Sequence, residues 1–389
     1  MTTVVQIAPE IGPGSGVAAV AHHLEAELAL LHVPTTRVTL VDAYGSWLPE
    51  PGPGVTGKVA LAARVVWFST VGTVVARRIL RGLPDAVAIC HNDALAGAVY
   101  VNHGIVLAAM RARGHATLRM ARNPLHLFTL ARDTVRFRTR THRVVVNLTV
   151  EEDELLRATY PKVAPATVVI GNGVDTRRLR PPSDAERSAA RGTYGFGPDD
   201  VVVLFVGHEF DRKGLPVLVD AVAQAPDRVR LLVAGGTQDL VDGARDHART
   251  AGCVDRVHFA GRLADPTPAF HAADVFALPS AYESFGLVVL EALAFGLPVV
   301  VTDVGVVPEV VDDGVNGFVV TADPLEIRDR VVELAGMPRD RLRSAARATA
   351  EEHGWDRIAR RYLTLLEGLG ARFDLSADVD AETAGAAVS

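Results

Sequence analysis

Short β-branched runs alternate with longer stretches of helical spacing along the whole chain. In the first half Thr3–Ile7, Arg37–Val41, Ala86–Cys90, Ala98–Asn102, Arg143–Asn147 and Ala166–Ile170 read as strands, and the first helix opens near Ser15. Val201–Val206, Val229–Val233, Arg256–Phe259, Val275–Leu278, Pro298–Val301 and Gly317–Val320 repeat the scheme in the second half. Near-continuous apolar runs suit strands covered on both faces, so the alternation predicts an α/β fold of two parallel, Rossmann-like sheets. Leu179–Asp200 contains Pro181 and Pro182 and lacks an apolar period, which marks a linker over residues 179–200. The domains expected on either side are 1–178 and 201–354. Trp355, Ile358, Ala359, Tyr362, Leu365, Leu366 and Leu369 then share one face of a last helix.

Composition narrows the class. With 389 residues, 49% hydrophobic and 22% charged, the chain has room for two or three cores and the profile of a soluble protein. Cys90 and Cys253 are the only cysteines, which excludes a disulfide scaffold and a Cys-rich metal site. No basic stretch precedes the apolar N-terminus, so a signal peptide is not expected. Val65–Ala76 is apolar, but Ser69, Thr70, Gly72 and Thr73 interrupt it between Arg64 and Arg77. It falls short of the roughly 20 residues of a membrane span, and a cytoplasmic protein is expected. The small, acidic tail 372–389 is expected to be disordered. That makes Asp378-Val379-Asp380 a poor place to hold a cation, and no metal is expected.

Three loops carry candidate chemistry, each just after a strand, where parallel α/β domains bind ligands. Gly12-Pro-Gly-Ser-Gly-Val17 is an incomplete dinucleotide motif, because Val17 stands where a small third residue belongs. Its glycines, Gly14 and Gly16, either offer backbone amides to a phosphate or sugar or simply make a tight turn. After Val206, the adjacent cations Arg212 and Lys213 precede Gly214 and Pro216, and suit a diphosphate or a solvated loop. After Leu278, the loop carries Glu283 and a helix opens near Gly286, with Glu291 inside it. The amides of Gly286, Leu287 and Val288 lie at that helix start, ready for an anion. Eight residues, if mostly helical, would set the backbones of the two glutamates roughly 12 Å apart. That exceeds the roughly 5–9.5 Å of a hydrolase pair. One carboxylate at each end of a nucleotide sugar fits better, with Glu283 on sugar hydroxyls and Glu291 on the ribose. The alternative is an ordinary helix with two solvated glutamates.

Tyr282-Glu-Ser-Phe-Gly-Leu followed by Glu291-Ala-Leu-Ala-Phe-Gly-Leu-Pro-Val-Val resembles the E-x7-E motif of retaining GT-B glycosyltransferases of family 4, the group 1 glycosyl transferases. Ile170-Gly-Asn-Gly-Val-Asp175, Ala273–Ser280, the pair Pro308-Glu309, Gly314–Phe318 and the Trp355 helix match further blocks of that family. The resemblance implies a GT-B fold whose C-terminal helix, 355–371, joins the acceptor-binding N-terminal domain, while 201–354 binds the donor. It implies transfer of a sugar from a UDP- or GDP-linked donor to a hydroxyl, with retention, on one face of the sugar, and without metal or cofactor. Arg212, Lys213 and the Gly286–Val288 amides then hold the diphosphate, and Glu291 the ribose. Glu283 and His103 position the sugar for catalysis. His103-Gly104 resembles the family's histidine position, whereas His91-Asn92-Asp93 matches less well. The chain departs from the family at His208, where an arginine is common, and at Val306, where a second glycine is frequent.

Charge is uneven. Arg111–Arg143 holds nine arginines against Asp133 alone, in a chain of net charge −6. Leu125, Leu127, Phe128, Leu130, Val135 and Phe137 interleave them. The segment is either a solvated helical face or a patch for an anionic acceptor or an anionic membrane at 111–143. No nucleic-acid motif accompanies it. The alternative reading of the chain is a nucleotide-sugar epimerase or an NAD-dependent oxidoreductase on twin Rossmann-like domains.

Overall fold

The computed structural model describes all residues except Ser15, Pro53, 113–122 and 374–389. The chain divides into two units, Met1–Asn172 with Trp355–Ser389, and Gly173–Gly354.

The first unit is built on a six-stranded parallel sheet in the order β2-β1-β3-β4-β5-β6: β1 (Thr3–Ile7), β2 (Thr35–Val38), β3 (Ala86–Cys90), β4 (Val99–Val101), β5 (Val144–Asn147) and β6 (Ala166–Val169). The second repeats the plan in the order β12-β11-β10-β7-β8-β9: β7 (Val201–Val206), β8 (Val229–Ala234), β9 (Val257–Gly261), β10 (Val275–Leu278), β11 (Val299–Thr302) and β12 (Gly317–Val320). In each sheet the strand order reverses once, at β1/β3 in the first and at β7/β10 in the second. Crevices open beyond the carboxyl ends of strands at such reversals. The predicted strands are all present; β2 stops at Val38, so Thr39–Val41 belong to the following loop.

The helix Trp355–Gly368 belongs to the first unit. It packs against the helix Val17–Leu30, with Trp355 stacked on His23 at 5.6 Å between centroids. Arg372, expected to start a disordered tail, instead donates its N–H to Thr2 Oγ1 and accepts from Thr2 N–H. The rest of that tail, with Asp378-Val379-Asp380, lies outside the described residues from 374 onward.

Three expectations need correction. The proposed linker is not featureless, because Asp184–Tyr194 is a helix of the second unit. Ser183 and Glu186 form its capping box, and Gly195 closes it in the left-handed region. The interrupted apolar run continues as helix from Gly54 to Arg81, 28 residues long and apolar enough, by length and composition, to cross a membrane. A π-helical turn at Phe68–Gly72 carries it past the polar residues. Thr70 and Thr73 donate their hydroxyls to Val66 O and Ser69 O (both 2.7 Å), which removes their polarity locally.

The Arg111–Arg143 stretch is not a uniform cationic surface. On the helix Pro124–Arg138, Arg136 is fully buried and Arg132 nearly so. Asp133 Oδ1 accepts from Arg136 at 2.8 Å and Arg132 at 3.1 Å, and Arg132 also meets Asp93 at 2.5 Å. Arg136 lies 3.9 Å from the Tyr100 ring centroid and donates to Asp93 O and Ala94 O. Arginine's planar fork makes this burial tolerable, because both terminal nitrogens of Arg136 are bonded and only its Nε is left without a partner. Arg113, Arg119 and Arg122 lie outside the described residues.

Candidate functional site

In the second unit, the residues singled out in the sequence gather beyond the carboxyl ends of β7 and β10. The loop after β7 ends at Gly214, which caps the helix Leu215–Ala223 at φ +77°. A Cβ there would approach Pro279 O to 2.1 Å, so only glycine lets this loop lie against the one after β10. Ala281 N–H donates to Arg212 O at 2.8 Å across the junction.

That contact brings Arg212, Lys213 and Glu283 together. Lys213 Nζ lies 2.8 Å from Glu283 Oε1 and Arg212 Nη1 3.3 Å from the same oxygen. Ser280 Oγ donates to it at 2.9 Å, and Arg212 also donates to Tyr282 O. The Lys213 and Glu283 side chains are only 14% and 11% exposed, so water screens the pair little. Glu209 takes the other side of the Arg212 guanidinium at 2.7 Å.

Gly286, at φ +86°, turns the chain into the helix Leu287–Ala294. Val289 N–H bonds to Gly286 O, while among the described hydrogen bonds the amides of Gly286, Leu287 and Val288 have no protein acceptor. Glu283, which pairs with both cations, also lies 3.8 Å from where a Cβ of Gly286 would be, so the two cations and the three amides share one neighbourhood, an arrangement suited to a multiply charged anion. Burial pushes the Glu291 carboxyl above its ordinary range, and the charges of Arg178 and Lys213 pull it back. Lys213 therefore acts on both glutamates.

The two departures from the family pattern acquire local explanations. His208 Nδ1 accepts from Gly236 N–H at 3.3 Å, tying the β7 loop to the turn after β8. Val306 sits at φ −80°, which a side chain tolerates, and its N–H reaches Phe285 O at 2.8 Å. Sequence reasoning missed Ser280, Glu209, Arg178 and the Gly235-Gly236 turn. Glu209 stands three residues before Arg212, a readable pairing distance, and Gly-Gly after a strand signals a positive-φ turn. Nothing local pointed to Arg178.

In the first unit, the Gly12–Val17 loop and His91 follow β1 and β3, the strands flanking that sheet's reversal. Gly14 and Gly16 have φ of +132° and +75°, and Gly16 starts the helix Val17–Leu30. His91 is buried; its Nε2 meets Gln6 Oε1 at 2.7 Å, and Gln6 Nε2 donates to Ala21 O. The Gln6 oxygen can only accept, so His91 carries its proton on Nε2 and leaves Nδ1 without a partner. His103 stacks near it at 6.0 Å between centroids, with its own Nε2 buried and without a partner. Burial pushes His103 down to about 4. Burial, then the neighbouring His103, pushes His91 down to about 3. Both rings are neutral at neutral pH, fit to exchange hydrogen bonds with hydroxyls but not to act as cations. Among the described residues no group of His, Cys, Asp and Glu is arranged to hold a metal.

Residues 200–336 match the sequence model of the family described as glycosyl transferases group 1. A curated relative, D-inositol 3-phosphate glycosyltransferase of Xylanimonas cellulosilytica, is 40% identical over 229 residues, covering 55% of this chain and 54% of that protein. The chain thus spans about half the length of the curated relatives it matches. Among solved structures, Anabaena HepE in complex with UDP and glucose superposes with a TM-score of 0.66 at 22% identity, over 94% of this chain and 100% of that one. Sucrose-phosphate synthase from Thermosynechococcus elongatus gives 0.70 at 20% identity, over 95% and 100%. The match to the glycosyl transferases group 1 model thus falls within the second unit, and the chain as a whole has the GT-B fold of these structures.

Proposed function

We propose that this protein is a retaining glycosyltransferase that moves a hexose from a UDP- or GDP-linked donor to an acceptor hydroxyl without a metal or a cofactor. The pairing of Glu283 with both Arg212 and Lys213 carries the reading, because it sets two cations near the Gly286–Val288 amides, the counter-charge that a departing diphosphate needs. Glu291 takes the ribose hydroxyls. Glu283 and the neutral His103 position the sugar, and Gly14 and Gly16 bring backbone amides to the substrate. The departing phosphate oxygen accepts the proton of the attacking hydroxyl, so that both act on the same face of the sugar.

The acceptor is a phosphorylated cyclitol. The curated relatives are named for inositol 3-phosphate, and HepE was solved with UDP and glucose. The epimerase and oxidoreductase alternatives find no counterpart in those names.

The test is a panel of UDP- and GDP-sugars incubated with inositol phosphate or inositol, read by mass spectrometry, with NMR of the fresh product. Transfer with the donor's anomeric configuration kept, and unchanged by EDTA, is the expected result. An inverted anomer, loss of activity in EDTA, or turnover of NAD instead refutes the reading.

A further inference from the structure

Among the described residues, exposed large apolar side chains concentrate on one part of the first unit. Val41, Tyr44, Trp47, Val55, Val59, Leu61, Val66 and Val74 all fall between β2 and the end of the helix Gly54–Arg81. Along that helix Val55, Val59, Val66 and Val74 recur at spacings of four, seven and eight residues, which keeps them on one side. The opposite side is anchored. Phe68, Ser69, Gly72, Thr73 and Ala76 are buried, Arg132 donates to Ser69 Oγ, and Leu95 N–H donates to Thr73 Oγ1. Only 33% of the most apolar stretch is buried, whereas a core helix of this composition would be mostly covered. Trp67 donates to Ala43 O and meets Trp47 edge-on at 5.3 Å, which holds the preceding loop beside the helix. Trp47 itself is 67% exposed.

The helix carries charge of one sign, and the acids beside it are Asp42 and Glu50 of the Trp47 loop. Residues 54–81 contain Lys58, Arg64, Arg77, Arg78 and Arg81 and no acid. Among the described contacts none of the five meets a carboxylate; Arg77 donates only to Leu95 O. A second copy on this face would set like charges against one another, while an anionic bilayer complements them.

We propose that the Gly54–Arg81 helix and the Trp47 loop form a membrane-docking surface that lies on, and does not span, an anionic lipid bilayer. Val55, Val59, Val66 and Val74 enter the headgroup–acyl boundary, Trp47 and Tyr44 sit at the interface, and the five cations meet the headgroups.

Flotation of the full chain with phosphatidylcholine vesicles, with and without phosphatidylglycerol, at low and high salt tests this. Binding to the anionic vesicles at low salt is expected, weakened by salt, with a blue shift of tryptophan emission. Val59→Glu with Val66→Glu should cut binding roughly tenfold or more, since both positions are exposed and a charge there opposes insertion. Trp47→Ser provides a second variant that removes the blue shift if the paired change disturbs the helix. Arg138→Ser with Arg140→Ser, in the other arginine-rich stretch, should leave binding unchanged. Absence of flotation, equal flotation with neutral vesicles, indifference to Val59→Glu/Val66→Glu and Trp47→Ser, loss through the Arg138/Arg140 changes alone, or lipid-free dimerisation abolished by the Val59/Val66 changes would each overturn the proposal.

Discussion

Lys213 Nζ and Glu283 Oε1 stand 2.8 Å apart although 70 residues separate them in sequence. Under the proposed function, a diphosphate held by Lys213 would compete with Glu283 for that ammonium, and the carboxylate would be released as the anion binds. The two residues should therefore respond to mutation with opposite signs. Lys213→Ala should weaken UDP or GDP binding roughly tenfold and lower turnover by about an order of magnitude or more. Glu283→Gln should hold or tighten nucleotide binding while also lowering turnover. Titration calorimetry alongside steady-state rates separates the two, and parallel weakening of nucleotide binding in both variants would contradict the competition.

Gly214→Ala tests the loop junction. Its Cβ would meet Pro279 O at 2.1 Å, at a φ of +77°. We expect a loss of roughly 2 kcal/mol or more in urea unfolding, together with weaker nucleotide binding as Arg212 and Lys213 are displaced. Gly192→Ala, where a Cβ meets nothing within 4 Å, is the control.

Stability should depend on pH through Glu152, near the start of the helix Val150–Thr159. Burial pushes its carboxyl up to about 7 from 4.5, against the opposing effect of the Leu148 N–H, which donates to it at 2.8 Å. Between those two values the folded chain holds the more protons, so stability falls as pH rises through that range. Glu152→Gln keeps an acceptor for Leu148 and should flatten that slope in denaturant titrations at a series of pH values. An unchanged slope would assign it to other groups.

Asp133→Asn should cost roughly 3–5 kcal/mol, because it leaves the buried Arg136 without its carboxylate. Arg138→Ser, on the exposed end of the same helix, should stay within about 0.5 kcal/mol. Comparable losses in the two variants would mean that the buried pair does not hold this helix in place.

What the sequence reveals differs by kind of evidence. The twelve strands are legible because parallel strands covered on both faces are apolar along their whole length. The helix starts at Leu215 and Leu287 are legible from Pro216 and Gly286. The helix Asp184–Tyr194 is polar and rich in small residues, so its apolar period is faint; Ser183 and Glu186, the capping box, are its readable signal. Arg132 and Arg136 look like surface charge, since the partners that bury them, Asp93, Ala94 and Tyr100, come about 40 positions earlier. The pairing of Lys213 with Glu283 is likewise set by β7 and β10 lying side by side, a matter of topology.

The first unit is written at both ends of the chain, and this bears on the order in which the protein is made. Met1–Asn172 leaves the ribosome with the helix Val17–Leu30 still lacking its neighbour, since Trp355–Gly368 is translated after the whole of Gly173–Gly354. Every segment of the second unit is available by then. The half synthesised later is therefore the one whose segments are all available first. The earlier half waits, with an apolar flank to be shielded, until Trp355, Ile358, Tyr362 and Leu366 arrive to cover it.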